Sequence, residues 1–500
     1  MSQNLSRRGF LLAGSGVAAA ALLAACGQAA PTAAPTAAPA AAKPTEAPKP
    51  AAEAAKPTEA PKPAAAATKP AEATKPAEAA KPTEAPKPTI AAAPAQASGA
   101  KVKVSYWSHE FKPRIDLDNK YFPEFQQKSP QVEIAYDASP GKYEDKLQTA
   151  MAAGTGPDLY NLFDGLAPSF IDRGFAAEVD YGAIGVASAD ALIDQYAWKG
   201  VLDGWKWKGK YYGIPNEVSN YCTHINPKLF KAVGLDAEKD WPKTWEDMVT
   251  VGQKVTKREG DKLTVRAFDF DYKSAIRWIL YLGGMAYQLG GPIMSPDGTE
   301  AYFNKPHTVQ ALTWLGDWVN KHKLGGPAYQ VFSDGFLADT VAMLALGSWY
   351  APNFKDKNPE LYQSYVVKPY PRFKDAKNDH GVHNYAYSHM VNPKSSPEVQ
   401  KASWQLAYEL DNHPAQYLQA TGLLVPKKSL VDSPEFKSVK YLDVFLADMG
   451  KSTYALRSTE YNEVAETFKR GVDRVVAENG DPQKSLDQTQ KEVEDIIRKK

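Results

Sequence analysis

The chain has 500 residues, 23% of them charged, a formal net charge of +1 and only two cysteines. Residues 1–100 hold one aromatic side chain, Phe10, against 54 in residues 101–500, so the first hundred cannot bury enough surface to offset chain entropy. The remaining 400 carry 49 basic and 52 acidic residues, net −3, without the electrostatic footprint of a nucleic-acid binder and without an apolar run of ~18 residues that would make a transmembrane helix.

Residues 1–25 have the three parts of an export signal: Arg7 and Arg8, the apolar stretch Phe10 to Leu23, and the small pair Ala24-Ala25. Ser6-Arg7-Arg8-Gly9-Phe10-Leu11 resembles a twin-arginine signal, and Leu23-Ala24-Ala25-Cys26-Gly27 resembles a lipobox, which makes Cys26 the expected site of lipidation. An acylated Cys26 leaves Cys222 without a disulfide partner, so Cys222 is expected to be a small buried hydrophobe. Residues 26–100 repeat Lys-Pro-Thr-Glu-Ala-Pro-Lys-Pro at 43–50, 56–63 and 81–88 and hold fifteen of the 38 prolines, which predicts a semi-rigid tether.

The body opens with Lys101 to Tyr106 alternating at period two, a half-buried strand ending in Trp107-Ser108-His109. A helical stretch at Lys120–Lys128 follows, then a strand at Val132–Tyr136, a helix at Tyr143–Ala153 stopped by Gly154-Thr155-Gly156-Pro157, and a strand at Asp158–Leu162. This alternation predicts a mostly parallel sheet covered by helices, with ligands beyond the carboxyl ends of the strands, where Trp107, Ser108, His109 and Asp164 stand. Trp241-Pro242-Lys243-Thr244-Trp245-Glu246-Asp247 reads as a helix start with Thr244 and Asp247 as a capping box. Gly283-Gly284 and Gly290-Gly291 read as loop punctuation. Helical core stripes run through Val309, Leu312, Leu315, Trp318 and Val319, through Val399, Ala402, Leu406 and Leu410, and through Val464, Phe468, Val472 and Val476, followed by Leu486, Val493 and Ile497.

Six pieces in order then carry a resemblance over residues 101–500: Gly154-Thr155-Gly156-Pro157-Asp158, Tyr211-Tyr212-Gly213-Ile214-Pro215, Ile225 to Phe230, Pro242 to Glu246, Val341 to Trp349, and Ala420 to Pro426. Together they resemble the extracellular solute-binding proteins of ATP-binding-cassette (ABC) importers, in the sugar-binding class of maltose-binding protein. The resemblance implies an α/β, two-lobed periplasmic-binding-protein-like fold of type II with a hinge between the lobes. Lobe one is expected at about 101–215 and 380–425, and lobe two at about 220–370 and 426–500. The crossovers should fall near Ile214–Asn220 and Lys368–Tyr385. The function implied is capture of a sugar or oligosaccharide and delivery to permease subunits, by a monomer outside the cytoplasm and anchored to the bacterial membrane through Cys26, at the cell surface or in the periplasm.

A sugar presents C–H faces that aromatic rings cover and hydroxyls that carboxylates and amides bind. By resemblance, Trp349 in Gly347-Ser348-Trp349 stacks on the sugar from lobe two, with a core role as its alternative. Asp164, just past the third strand, is a hydroxyl-binding carboxylate or a helix cap; Trp107 is a platform or a lid over the sheet edge. Glu217 accepts a hydroxyl or holds the hinge, and Tyr221 and Tyr385 flank the crossovers. Ser108, His383 and Asn384 complete the candidates. The run Leu162-Phe163-Asp164-Gly165 lacks the tryptophan of maltose-binding protein, so that protein's specificity does not carry over.

Two rival functions stand beside this one, and a non-sugar solute remains open as the ligand. Asn216-Glu217 superficially resembles a glycosidase pair, but the periodicity of a barrel is absent. His380, His383 and His389 are spaced as a possible zinc site. No Gly-x4-Gly-Lys-Ser/Thr phosphate loop or Gly-x-Ser-x-Gly elbow occurs, so no cofactor and no catalysis are expected.

Overall fold

The structure is a computed structural model that describes residues 101–139, 141–329 and 331–499. The export signal, Cys26 and the tether lie outside the described residues. Alternation in β1 (Val102–His109) puts Val104, Tyr106 and Ser108 on one fully buried face and leaves Trp107 and His109 half-buried on the other. β2 (Val132–Ser139) and β3 (Leu159–Phe163) flank β1 in parallel. A short hairpin follows, β4 (Lys206–Trp207) and β5 (Lys210–Tyr211), and then β6 (Ile214–Ser219). In the hairpin turn Lys208 has φ 48° and Gly209 φ 84°, as a two-residue type I′ turn demands. Holding the lysine there costs about 1–2 kcal/mol.

The chain then enters a second sheet through β7 (Cys222–Ile225), and β8 (Lys257–Glu259), β9 (Lys262–Asp269), β10 (Val341–Leu346) and β11 (Val366–Lys368) follow there. It returns to the first sheet as β12 (Tyr385–Val391). The strand orders are β2-β1-β3-β12-β6 and β11-β7-β10-β9-β8, so each sheet is the centre of one lobe. β12 lies antiparallel between β3 and β6, fourth in the run of five. Cys222 is buried in β7 as a free thiol.

Helices cover both sheets. In lobe one, α1 (Lys112–Lys128) packs on β2, and α2 (Tyr143–Ala153) on β1. In lobe two, α3 (Trp245–Val255) packs on β9, capped by Thr244 Oγ1 accepting from the Asp247 N–H at 3.0 Å, with Trp245 fully buried. α4 (Ala275–Leu289) packs on α5 (Pro306–Gly316). Next, α6 (Pro397–Leu410) covers β1, β3 and β12, and α7 (Pro414–Thr421) lies on α1. The chain goes over to lobe two again, where α8 (Leu442–Met449) packs on β7 and α9 (Tyr461–Val476) and α10 (Pro482–Arg498) pack on α4 and α5. Leu312, Leu406, Phe468 and Leu486 are fully buried, as the helical stripes require. Among the described residues no helix is long and apolar enough to cross a membrane.

One reading needs correcting. Gly283-Gly284 is not loop punctuation but lies inside α4, where the helix approaches the returning strand. A Cβ on Gly284 would sit 2.6 Å from the Gly381 carbonyl oxygen and 3.2 Å from the Val382 Cα, both backbone. Gly284→Ala is therefore expected to destabilise the fold by about 1–3 kcal/mol through a forced backbone shift, read as a lower urea midpoint at unchanged slope.

Candidate functional site: the cleft between the lobes

A cavity of about 350 Å³ lies where the lobes face each other. Lobe one contributes Phe163 at the end of β3, Glu144 and Asp145 from the first turn of α2, and Tyr385 and Tyr387 from the start of β12. Lobe two contributes Tyr221 on the crossing segment and Ser274, Ile276, Arg277 and Leu280 from the first turns of α4, and Asn462 comes from α9. These strand and helix ends meet here because the carboxyl ends of β3 and β9 point at the cleft, and the chain leaves each into a helix.

The site is an aromatic floor with charges set into it. The Tyr221 and Tyr385 ring centroids are 5.1 Å apart, and Tyr221 and Tyr281 5.6 Å. The Arg277 guanidinium lies 5.5 Å from the Tyr221 centroid and 4.6 Å from that of Phe332, with Nε 3.4 Å from Asp271 Oδ2. Burial works against its charge, but Tyr221, Tyr281 and Asp271 outweigh it and hold the guanidinium firmly protonated. Its buried Nη1 has no hydrogen-bond partner among the described residues. Opposite, Tyr387 Oη donates to Glu144 Oε1 at 3.4 Å, and burial lifts the Glu144 carboxyl above its ordinary range. Ile276 is 37% exposed, an aliphatic face left open in this cleft. A buried donor, a carboxylate acceptor and stacked rings suit a ligand with hydroxyls on its rim and C–H on its faces.

Of the residues expected from sequence, Tyr221 and Tyr385 line this cavity. Trp349, half-buried in a short 3-10 turn after β10, is not part of the lining but contacts it: its Nε1 donates to Tyr385 Oη at 2.5 Å. Trp107 does not; its ring carries the Lys146 ammonium 4.3 Å away on the half-buried face of β1. Ser108 points the opposite way, into the core, bonded to Tyr136 Oη at 2.8 Å. That follows from strand alternation, which separates Ser108 from both its neighbours. Glu217 is turned into lobe one. Its Oε2 accepts from Tyr417 Oη at 2.9 Å and lies 3.6 Å from Arg114 Nη1, and burial lifts its pKa.

Asp164 is also internal. Its Oδ1 accepts from the Ala386 N–H at 2.9 Å and caps the start of β12. Burial raises its carboxyl from 3.8 to about 7, against the Ala386 N–H and the Arg457 guanidinium, which lower it. An acid raised on folding stabilises the protein below its unfolded pKa and loses that contribution as pH rises through the folded one. Asp164→Asn keeps the acceptor and removes the titration. The variant is therefore expected to gain stability relative to the parent as pH rises from about 4 to 7 in paired thermal melts; parallel curves across that range would refute this.

His383 is buried behind α4, with its Nδ1 3.2 Å from the Thr453 carbonyl oxygen, and burial lowers its pKa to about 4. Asn384, its neighbour, donates to the Met449 and Ser452 carbonyls at 3.0 Å each. His380 stands 4.8 Å from His383 by ring centroids, but His389 is in sheet one, 3.1 Å from Tyr106 Oη and 3.6 Å from Asp411. The three histidines do not converge, and among the described residues no three His, Cys, Asp or Glu side chains form a metal-binding group.

Arg277, Glu144, Tyr387 and Asn462 are cleft residues that the sequence reading missed. Arg277 had a signal: it is one charge within Ala275-Ile276-Arg277-Trp278-Ile279-Leu280, an otherwise apolar helix start.

Residues 120–442, more than half of the chain, match the family described as bacterial extracellular solute-binding protein. The chain belongs to that family. This solute-binding protein is 25% identical over 242 residues to an arabinooligosaccharide-binding protein of Halalkalibacterium halodurans, a match covering 46% of the chain and only about half (50%) of that relative's length. An arabinooligosaccharide-binding protein of Bacillus subtilis is 24% identical over 63% of the chain and 70% of its own length. Its fold is similar to that of an ABC substrate-binding protein from Listeria monocytogenes solved with cycloalternan, at TM-score 0.67 and 20% identity, over 80% of this chain and 99% of that one. The two lobes of the solute-binding protein are thus those of the extracellular binding-protein fold.

Proposed function

We propose that this solute-binding protein captures an oligosaccharide between its lobes and delivers it to the permease subunits of an ABC importer, without chemical turnover. The observation that carries this reading is the cleft itself, in which Tyr221, Tyr385, Arg277 and Glu144 converge from both lobes on one cavity. The names of its relatives, which bind arabinooligosaccharides and maltotriose, support a neutral oligosaccharide as the ligand class. Lobe one is taken as 101–219 and 385 onward to the last passage before α8, with the rest in lobe two. Closure of the lobes converts binding into a signal, because a permease can prefer the closed form. On the same reading, the chain is exported, held at the outer face of the membrane by lipid at Cys26, and works as a monomer at the end of its tether.

The test is a thermal-shift and tryptophan-fluorescence screen of arabino- and malto-oligosaccharides. A saturable shift with one series is the expected result, with the sugar recovered intact; no response to any neutral saccharide would overturn the proposal. Trp349→Ala should weaken that binding by about 1–3 kcal/mol, because it removes the indole donor that orients Tyr385 on the cleft wall.

A further inference from the structure

A second cavity, of about 1130 Å³, lies outside the cleft and is larger than it. It too has walls from both lobes: residues 198–209 with the β4–β5 hairpin from lobe one, residues 296–299 from lobe two, and the crossing segments at Asn384 and 450–457. Asn384 lines this cavity and Tyr385 the cleft. Successive residues of an extended strand point to opposite sides, so the two cavities flank the crossing strand on opposite sides.

The lining has the chemistry of a built site. Trp198, Trp207 and Tyr454 are half-buried rings on its wall, and the tight Lys208-Gly209 turn fixes the hairpin that holds Trp207. The buried Trp207 Nε1 has no hydrogen-bond partner among the described residues. Charge on the lining is unbalanced, with Lys199, Lys206, Lys208 and Arg457 against Asp203 and Asp297. Asp297 is committed to its own turn, accepting from Ser295 Oγ and Thr299 Oγ1 at 2.7 Å each. Arg457 is spent on the carbonyls of Asp203, Gly204 and Lys206, and Lys208 pairs with Asp172 at 3.0 Å. Lys199 and Lys206 make no salt bridge among the described residues, although the Lys206 ammonium lies 5.3 Å from the Tyr211 ring centroid and near enough to Asp203 to lower that carboxyl against its burial.

We propose that this cavity is a second saccharide site, specific for an anionic saccharide whose ring faces lie on Trp198, Trp207 or Tyr454 and whose carboxylate or sulfate meets Lys199 and Lys206. Rings alone would take a neutral sugar; the two ammonium groups beside them, neither held in a salt bridge, select a charged one. The proposal does not depend on what the cleft binds.

The test is isothermal titration of the full chain with tetragalacturonate and, in a second arm, with a sulfated galactose tetrasaccharide, each at low and high salt. Saturable, salt-weakened binding in at least one arm is expected, and the responding arm identifies the anion. Trp207→Ala and the surface double variant Lys199→Gln/Lys206→Gln should each weaken it about tenfold or more. Arg277→Ala, in the cleft, should leave it within about twofold, since additivity holds for separate sites. No binding in either arm overturns the proposal. So does binding that survives both the Trp207 and the lysine variants, or binding that requires Arg277, which would place the anion in the cleft.

Discussion

Arg114→Ala is expected to destabilise the protein by about 3–5 kcal/mol, the cost of stranding a buried charge. Arg114, in the first turn of α1, is fully buried, with its guanidinium 3.6 Å from Glu217 Oε2 and 3.9 Å from Asp118 Oδ2, and it also donates to the His109 carbonyl. Burial opposes its charge, yet Tyr417, Glu217, Tyr106 and Asp118 more than compensate and keep it protonated. Both carboxylates already sit above their ordinary range because they are buried, Asp118 at about 6, and Arg114 is what restrains them. Without it they must take up protons or stay charged in a dry interior. The loss should therefore be larger at pH 8 than at pH 5, where protonation relieves it. Arg114→Met with Glu217→Gln should recover part of the loss, because a shaped apolar and neutral replacement removes the unpaired charge. Urea unfolding of the three proteins at both pH values measures this; a loss below about 1 kcal/mol that does not vary with pH would show that water screens the cluster.

The second large effect belongs to the cleft. Arg277→Ala is expected to weaken binding of the cognate oligosaccharide by about 2–4 kcal/mol, roughly 30- to 1000-fold. The guanidinium is held between the Tyr221 and Phe332 rings and by Asp271, so its position is fixed before a ligand arrives. Its buried Nη1 has no hydrogen-bond partner among the described residues, and a sugar hydroxyl that reaches it can satisfy it at little ordering cost. Arg277→Lys should restore only part of the affinity, because an ammonium can neither stack on both rings nor reproduce the fork. Calorimetric titration of the three proteins with the sugar found in the screen checks this, and equal affinities would remove Arg277 from the site.

Much of this fold was legible residue by residue. The alternation of Val104 and Tyr106 against Trp107, and the helical stripes ending at Phe468 and Leu486, report burial directly because side-chain periodicity follows from backbone geometry. The first crossing segment was marked by the family piece at Tyr211–Pro215, and the two crossings delivered Tyr221 and Tyr385 to the cleft, where Trp349 reaches Tyr385 by a hydrogen bond. Ser108 could have been set aside on period alone. Asp164 and Glu217 could not: one follows β3 and the other lies within β6, beside the cleft, and only register decides which way each carboxylate turns. Asp164 reaches a backbone N–H of β12, more than 200 residues later, and Glu217 reaches an arginine on α1. Such partners are remote in sequence. Arg277 and Glu144 were missed for the complementary reason, since first-turn helix charges usually face solvent and only the opposite lobe makes them ligand contacts.

The place of β12 inside sheet one bears on how the chain is made. Its neighbours β3 and β6 end at residues 163 and 219, but β12 itself starts at 385. During synthesis at ~5–20 residues per second, β3 waits roughly 10–45 s for the strand that must lie beside it. Until then lobe one exposes two unpaired edges along fully buried sequence, Leu159–Phe163 and Ile214–Ser219. Lobe one cannot mature on the ribosome until most of lobe two has already been made. The nascent chain must instead be kept from aggregating until both lobes can condense together, late and through contacts of high sequence separation.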